Sequence, residues 1–202
     1  MSFFRNVSIA LIAAFAFNGA IAAAASEPSV KLPDYQTITL DNGATVLLMP
    51  RKDVPLIAAN IAVRGGALAD APGKEGTADI LGEMLSKGAG SRSALQFAQT
   101  VDGAGGSIGF GSSREAITAN AQFLSKDSAL MLSLLADALL RPTMDSAEFD
   151  KLRKRAIDGI ANAKDSDPRQ LIGTYTGGWL FRGHPYGRST GGDETSLATI
   201  TL

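Results

Sequence analysis

The 202-residue chain contains no cysteine and only one histidine, His184. The lack of cysteine excludes disulfide bonds, thiolate metal sites and thiol nucleophiles. A single histidine excludes any pair of imidazole ligands supplied by this chain alone. The 19 basic and 20 acidic residues nearly cancel, for a formal net charge of -1. A chain with so little net charge has no general field to attract nucleic acid, so we expect no nucleic-acid partner.

The N-terminal segment has the organisation of an export signal. One cation, Arg5, precedes an apolar run over residues 7–17, and a stretch of small residues rich in alanine follows. This order is typical of a secretory signal peptide, with cleavage near Ala24 or Ala25. The sequence therefore predicts a signal peptide over residues 1–25.

An uncleaved membrane anchor is the alternative for this segment. Asn18 and Gly19 interrupt the apolar run, and alanines weaken its end, so we expect no stable membrane span after cleavage. No cysteine follows, which excludes a lipid-modified anchor at that position. The expected location is the periplasm of a Gram-negative-like cell, or the outside of the cell. Residues 26–34 are interpreted as a polar leader.

Residues 35–202 carry alternating patterns first and helical patterns in blocks later, which predicts an α+β fold. The expected architecture is a mixed or antiparallel sheet with helices packed on one face. Asn42-Gly43 predicts a tight hairpin turn, because this pair accepts positive φ angles. A strand pair is expected to turn near Ser112-Ser113. The strand expected after Pro55 runs up to the Gly65-Gly66 pair.

Helices are predicted over residues 76–87, 93–102 (opened by a Ser93 cap), 126–140, 146–164 and 167–181. The last residues, 193–202, are typical of a capped helix or the approach to a strand.

Asp79 and Glu83 lie four residues apart on the first of these helices, so one helical face presents both carboxylates. Two carboxylates can contribute to a hard-cation site, although Ca2+ and Mg2+ usually need further oxygen ligands. The alternative is a solvated acidic face beside the apolar positions of the same helix. These residues alone favour the second interpretation.

His184, Pro185, Tyr186 and Gly187 form a loop motif near the end of the chain. A lone histidine in such a loop is more often a hydrogen-bonded anchor than a metal ligand. Ser112-Ser113 lacks a nearby histidine base and is interpreted as a turn rather than as a nucleophile.

Five stretches in a fixed order resemble the pitrilysin/insulinase family of zinc peptidases: "LDNGATVLLMP", "VRGGALADAPGKEGTADILGEMLSKGAG", "GAGGSIGFGSSREAITANAQFL", "LLADALLRPTMDSAEFDKLRKRAI" and "HPYGRSTGG". Active members of that family carry His-x-x-Glu-His on a helix. The resemblance implies the N-terminal α+β domain of the pitrilysin and mitochondrial-processing-peptidase type, ending slightly short of its full length. Such domains are usually paired within a chain.

The resemblance also places the zinc motif on residues that do not support its chemistry. The two histidine positions fall on Asp79 and Glu83, and the position of the general base falls on Gly82. The third ligand position falls on Gly159, or on Asp158 if the alignment shifts by one residue. Peptidase zinc needs three protein ligands and a base that deprotonates the bound water. No catalytic residue and no metal or other cofactor are therefore expected in this chain.

Three functions follow from the resemblance and remain open at this point. The first is a non-catalytic subunit or domain that completes a peptide-binding chamber with an active, zinc-bearing pitrilysin-like partner or with a second domain. The second is a divergent metallopeptidase that uses Asp79, Glu83 and Asp158 around a divalent ion. The third is a stand-alone binding or assembly protein of the cell envelope.

Overall fold

The computed structural model describes residues 33–202. The chain divides into two compact units, residues 1–52 and residues 53–202. The predicted signal peptide and most of the predicted leader lie outside the described residues. In the part of the first unit that is described, strands β1 (Gln36–Thr39) and β2 (Thr45–Leu48) pair in antiparallel fashion.

The turn of this hairpin lies where the sequence predicts it. The amide of Gly43 donates to the carbonyl of Leu40 at 2.9 Å, and Gly43 has a φ of 81°. The side-chain oxygen of Asn42 accepts from the amide of Ala44 at 3.0 Å. The predicted Asn-Gly hairpin is confirmed.

The second unit contains five further strands and six α-helices among the described residues. The strands are β3 (Leu56–Arg64), β4 (Gly88–Ala89), β5 (Arg92–Ser93), β6 (Ser107–Ser112) and β7 (Ala116–Leu124). The helices are α1 (Thr77–Met84), α2 (Ala94–Gly103), α3 (Ser128–Leu140), α4 (Ser146–Ser166), α5 (Ile172–Leu180) and α6 (Glu194–Thr199). Short 3-10 helices cover Gly66–Ala69, Ser125–Asp127, Pro168–Leu171 and Pro185–Gly187.

The main sheet has the strand order β3-β7-β6, and both pairs are antiparallel. Ala119, Ala121 and Phe123 of the central strand are buried on one face. On the opposite face, exposed side chains include Asn60, Asn120 and Gln122. Because only one face is covered by helices, the predicted α+β architecture is confirmed.

Two apolar clusters hold the helices in place. The first joins the buried face of the sheet to α2 and α3, through residues such as Phe97 and Leu134. The second joins α1, α4 and α6 through Ile80, Met84, Phe149, Leu152, Leu197 and Ile200. The structure therefore packs α1 against both the sheet and the α4–α6 pair.

The start of α1 is fixed by a buried carboxylate. Asp70 is only 7% exposed. Its two side-chain oxygens accept from the amides of Gly76 and Ala78, each at 2.9 Å. Amides at a helix start have no partner within the helix, so this carboxylate supplies the missing acceptors.

Residues from the last part of the chain also contact the start of α1. Gly76 has a φ of 97°, and a Cβ there would lie 2.9 Å from the carbonyl oxygen of Gly191. The hydroxyl of Ser196 donates to the carbonyl of Glu75 at 2.9 Å. Arg188 donates to the carbonyl of Asp70 at 3.1 Å. The loop before α6 and the first turn of α6 thus contact the residues just before α1. The positive φ and the nearby Gly191 carbonyl together require glycine at residue 76.

Most predicted elements are present, with changes at their ends. The Ser93 cap of α2 is confirmed, and Gln96 completes a capping box with it. The capped helix near the chain end is α6, with Asp193 as its cap. The helix predicted over 126–140 begins as a 3-10 turn and becomes α-helical only at Ser128.

Two predicted spans are longer than the helices that form. The helix predicted over 76–87 covers only Thr77–Met84, because the left-handed conformation of Gly76 excludes it and a short hairpin starts at Gly88. The span 167–181 is divided between the 3-10 helix Pro168–Leu171 and α5. Within residues 33–202, no helix has the length and apolar character needed to cross a membrane.

We predict that Asp70→Ala lowers the free energy of unfolding by about 2–3 kcal/mol, because two buried amides lose a charged acceptor. The matched control is Asp145→Ala, since Asp145 caps α4 at an exposed position by accepting from Glu148. That change should cost about 1 kcal/mol. Chemical denaturation of both variants measures the difference, and equal losses would contradict a special role for Asp70.

Candidate functional site

The candidate site lies where α1 crosses the end of strand β6. Gly82 is buried at this crossing. A Cβ at Gly82 would lie 3.1 Å from the carbonyl carbon of Gly111 and 3.3 Å from the amide nitrogen of Ser112. The helix therefore approaches the strand backbone at Gly82, the residue on which the family resemblance places the general base.

Asp79 lies one turn earlier on α1 and is half-buried. Its Oδ1 accepts a hydrogen bond of 2.9 Å from the hydroxyl of Ser112. Asp79 therefore joins the first turn of α1 to the last residue of β6. Gly191 lies close on the other side, since a Cβ there would be 3.8 Å from Oδ2 of Asp79.

Glu83 faces a different neighbour. Its Oε2 accepts from the guanidinium of Arg155 on α4 at 2.6 Å. Asp158, further along α4, pairs with Lys154 at 2.6 Å and is exposed. Gly159 is exposed and has open space where a Cβ would stand.

This donor set does not fit a zinc ion. Asp79 and Glu83 are engaged by Ser112 and Arg155, and Gly159 offers no donor atom. Asp158 is directed to Lys154 rather than to either carboxylate. Across the described range 33–202, no three His, Cys, Asp or Glu side chains gather as metal ligands would. A guanidinium beside Glu83 also opposes a second cation at that carboxylate.

The loop motif at His184 anchors the neighbouring chain segments. The Nδ1 atom of His184 accepts from the amide of Tyr186 at 3.2 Å. The hydroxyl of Tyr186 donates to the carboxylate of Glu115 in the β6–β7 turn. Arg114 donates to the carbonyls of Tyr186 and Arg188 at 2.7 and 3.2 Å. The predicted anchoring role of His184 agrees with these contacts.

The contact also changes the acidity of Tyr186. The hydrogen bond to Glu115, and then the repulsion between that carboxylate and a phenolate, raise the pKa of Tyr186 above its ordinary 10.0. The positive charge of Arg114, whose guanidinium lies 5.5 Å from the centre of the ring, acts in the opposite direction.

Sequence patterns did not identify four residues that shape this site: Ser112, Arg114, Glu115 and Arg155. The sequence predicts only a turn near Ser112-Ser113, and Arg155 lies in an ordinary charged helix. Their partners are 33 to 74 residues away in the chain. No spacing rule within one element signals such contacts.

The profile of the family described as "Insulinase (Peptidase family M16)" matches residues 46–194. The match covers most of the chain, including α1, β6, β7 and α4. The chain belongs to the M16 peptidase family. The resemblance noted from the five sequence stretches is thus confirmed.

Curated M16 relatives are considerably longer than this chain. An uncharacterized zinc protease of Rickettsia bellii is 26% identical over 167 residues, covering 83% of this chain and 40% of its own length. An uncharacterized zinc protease of Mycobacterium leprae is 31% identical over 128 residues, covering 62% and 28%. The mitochondrial-processing peptidase subunit beta of Lentinula edodes is 25% identical over 168 residues, covering 83% and 36%. The chain thus spans less than half the length of these relatives.

Two solved structures share the M16 fold of this chain. A peptidase M16 inactive domain from Pseudomonas fluorescens superposes with a TM-score of 0.79 at 24% identity, covering 84% of this chain and 41% of that one. A protease from Helicobacter pylori gives a TM-score of 0.73 at 20% identity, covering 85% and 42%. At these identities the likeness concerns the fold alone.

We predict that Gly82→Ala lowers the free energy of unfolding by about 1 kcal/mol or more, because the new methyl group crowds the β6 backbone. The matched control is Gly159→Ala, which fills open space on an exposed helix and should stabilise by about 0.5–1 kcal/mol. Chemical denaturation measures both changes. A gain for Gly82→Ala equal to that of the control would show that residue 82 is not closely packed.

We also predict that Glu115→Gln lowers the pKa of Tyr186 towards its ordinary value. The raised pKa means that folding favours the protonated phenol. Its stabilisation is therefore present below pH 10 and is lost as pH rises through the folded pKa. Titration by phenolate absorbance, compared between wild type and variant, isolates Tyr186 among the three tyrosines. Identical curves would contradict the contact.

Proposed function

We propose that this chain is a non-catalytic M16 subunit or domain that helps to enclose peptides together with an active, zinc-bearing relative. The observation that carries the proposal is the crossing of α1 and β6 at Gly82. The base position holds no side chain, and the backbone of β6 lies too close to a Cβ there for a larger residue to fit without displacement.

The remaining chemistry supports the same conclusion. Zinc-dependent hydrolysis of a peptide needs a metal with an open coordination position and a base for the attacking water. Here both carboxylates of α1 are engaged, and the third ligand position is a glycine. The rearrangement needed to build a site from Asp79, Glu83 and Asp158 would break the pairs with Ser112, Arg155 and Lys154.

The open edge of β6 offers a way to bind an extended peptide. The amide of Ser113 donates to the carbonyl of Ala116 across the turn. Every second residue of an antiparallel strand bonds to the same neighbour, so the backbone groups of Gly111, Gly109 and Ser107 face β7. The amides and carbonyls of Ile108 and Phe110 then point away from β7, with no strand beyond them in the described part of the chain. A peptide strand can pair with these groups, in the mode by which many sheets bind peptides.

The lengths of the relatives support a second subunit or domain as partner. This chain spans about 40% of the Rickettsia bellii zinc protease and of the Pseudomonas fluorescens structure. The latter is described as an inactive M16 domain, and its fold is the one found here. We therefore propose an active M16 subunit or a second domain as partner, in the periplasm to which the N-terminal segment would direct the chain.

The test combines this chain with an M16 relative that carries an intact His-x-x-Glu-His. Alone, the purified chain should show no chelator-sensitive cleavage of fluorogenic peptides. Together, the two should co-purify, and cleavage by the relative should increase because the chamber is completed. The control is the same mixture with the relative's motif glutamate changed to glutamine, which should bind but not cleave.

Chelator-sensitive cleavage by this chain alone, removed by Asp79→Ala, would overturn the proposal in favour of a divergent metallopeptidase. Absence of any complex with M16 relatives made by the same cells, together with no binding of extended peptides, would instead favour a stand-alone envelope protein.

A further inference from the structure

His184 holds the loop over residues 184–188 through a nitrogen atom that can also bind a proton. The amide of Tyr186 lies 3.2 Å from Nδ1 of His184, and an amide N–H can only donate. Nδ1 therefore carries no hydrogen, and the ring is neutral with its hydrogen on Nε2. This bond caps the 3-10 helix Pro185–Gly187, in the way that an asparagine accepts from the amide two residues later.

Loop 184–188 joins two other parts of the fold. On one side, the hydroxyl of Tyr186 donates to Glu115, and the guanidinium of Arg114 donates to the carbonyl of Tyr186 at 2.7 Å. On the other side, Arg188 donates to the carbonyl of Asp70 at 3.1 Å, close to the start of α1. The loop therefore connects the β6–β7 turn with the start of α1.

We propose that protonation of His184 releases loop 184–188 from the β6–β7 turn, so that acid pH loosens the connection between this turn and the start of α1. A proton taken from solvent onto Nδ1 occupies the lone pair to which the Tyr186 amide donates, and two N–H groups then face each other. The rings of His184 and Tyr186 are in contact, with 5.0 Å between their centres, so displacing one also disturbs the other. The inference is independent of the proposed function, because it concerns contacts within this chain.

The charges around the loop give a protonated ring little compensation. Arg114 and Glu115 reach the loop from the β6–β7 turn, and Arg182 and Arg188 lie on the same segment as His184. Helix α5 also packs against the loop, but its one titratable residue is Tyr175, which is uncharged at neutral and acid pH. Three guanidinium groups thus stand against one carboxylate, and that carboxylate already accepts from Tyr186.

Three variants of the full chain, purified without a histidine tag, separate the effect of the proton from that of the side chain. His184→Asn supplies an oxygen that accepts from the amide of residue 186 at every pH. His184→Ala removes the acceptor at every pH. Glu115→Gln removes the carboxylate of the contact and keeps His184. Imidazoles ordinarily titrate at about pH 6.5 and carboxylates at about pH 4, so the two kinds of group separate in a titration.

Nuclear magnetic resonance measures both the proton and the loop. His184 is the only histidine of the chain, so the signals of its ring nitrogens report its tautomer and its titration without ambiguity. Hydrogen exchange of the Tyr186 amide between pH 5 and pH 8 reports the opening of the loop, when it is expressed as protection relative to an unstructured peptide at the same pH. The amide of Ala121 in the central strand β7 is the control for global unfolding.

In the wild type, we expect the neutral ring to carry its hydrogen on Nε2. Protection of the Tyr186 amide should fall by roughly five-fold or more as the ring is protonated, because one hydrogen bond is lost. The fall should have the same midpoint as the titration of the ring. His184→Asn should keep the protection constant from pH 8 to pH 5, and His184→Ala should show the low value throughout. Glu115→Gln should retain the fall, and protection at Ala121 should stay unchanged.

Equal protection of the Tyr186 amide at pH 5 and pH 8 in the wild type would overturn the proposal. A fall that persists in His184→Asn, or that disappears in Glu115→Gln, would also overturn it, because a group other than His184 would then be responsible. Protection lost at Ala121 together with Tyr186 would count against it as well, since the whole chain would then unfold rather than the loop.

Discussion

The buried carboxylate of Asp70 is the contact on which the arrangement of the site depends. Helix α1 has only eight residues, and a helix of that length is not stable by itself in water. Its first turn is held because Asp70 accepts from two of its amides, and because Arg188 and Ser196 bind the carbonyls of Asp70 and Glu75. Once that turn is fixed, the helix axis is fixed, and with it the positions of Asp79, Gly82 and Glu83. The hydrogen bonds of Arg188 and Ser196 join chain segments that are more than 100 residues apart.

With α1 in place, the identity of three residues decides what the site can do: Ser112, Arg155 and Gly82. The scaffold is that of a peptidase family, but Ser112 engages one carboxylate of α1 and Arg155 engages the other. Gly82 is the most informative of the three, because its lack of a side chain is used by the packing. A helix interior loses about 1 kcal/mol when glycine replaces alanine. Here that cost accompanies a close contact with the β6 backbone, so the glycine is part of the packing of the fold.

Much of the fold could be predicted from the sequence, because its elements carry local signals. The Asn42-Gly43 turn and the Ser93 cap each depend on residues within a few positions of one another. Helix ends were less predictable where tertiary contacts decide them, as at Gly76, which is left-handed beneath the loop at Gly191. The side-chain pairs of the site were not predictable at all. Arg155 reaches Glu83 across 72 residues and Tyr186 reaches Glu115 across 71, and only the folded chain brings such residues together.

Helix α1 is attached to α4 by an ion pair and by apolar packing. The Arg155–Glu83 pair joins the two helices, but its side chains are 66% and 48% exposed. Exposed ion pairs contribute only about 0–1 kcal/mol, so this pair alone is weak. Beneath it, Ile80 and Met84 of α1 are buried against Phe149 and Leu152 of α4. Burying each such side chain contributes about 1.5–3 kcal/mol, and four of them outweigh the ion pair several-fold. Apolar packing therefore fixes α1 against α4, and with it the positions of Asp79, Gly82 and Glu83.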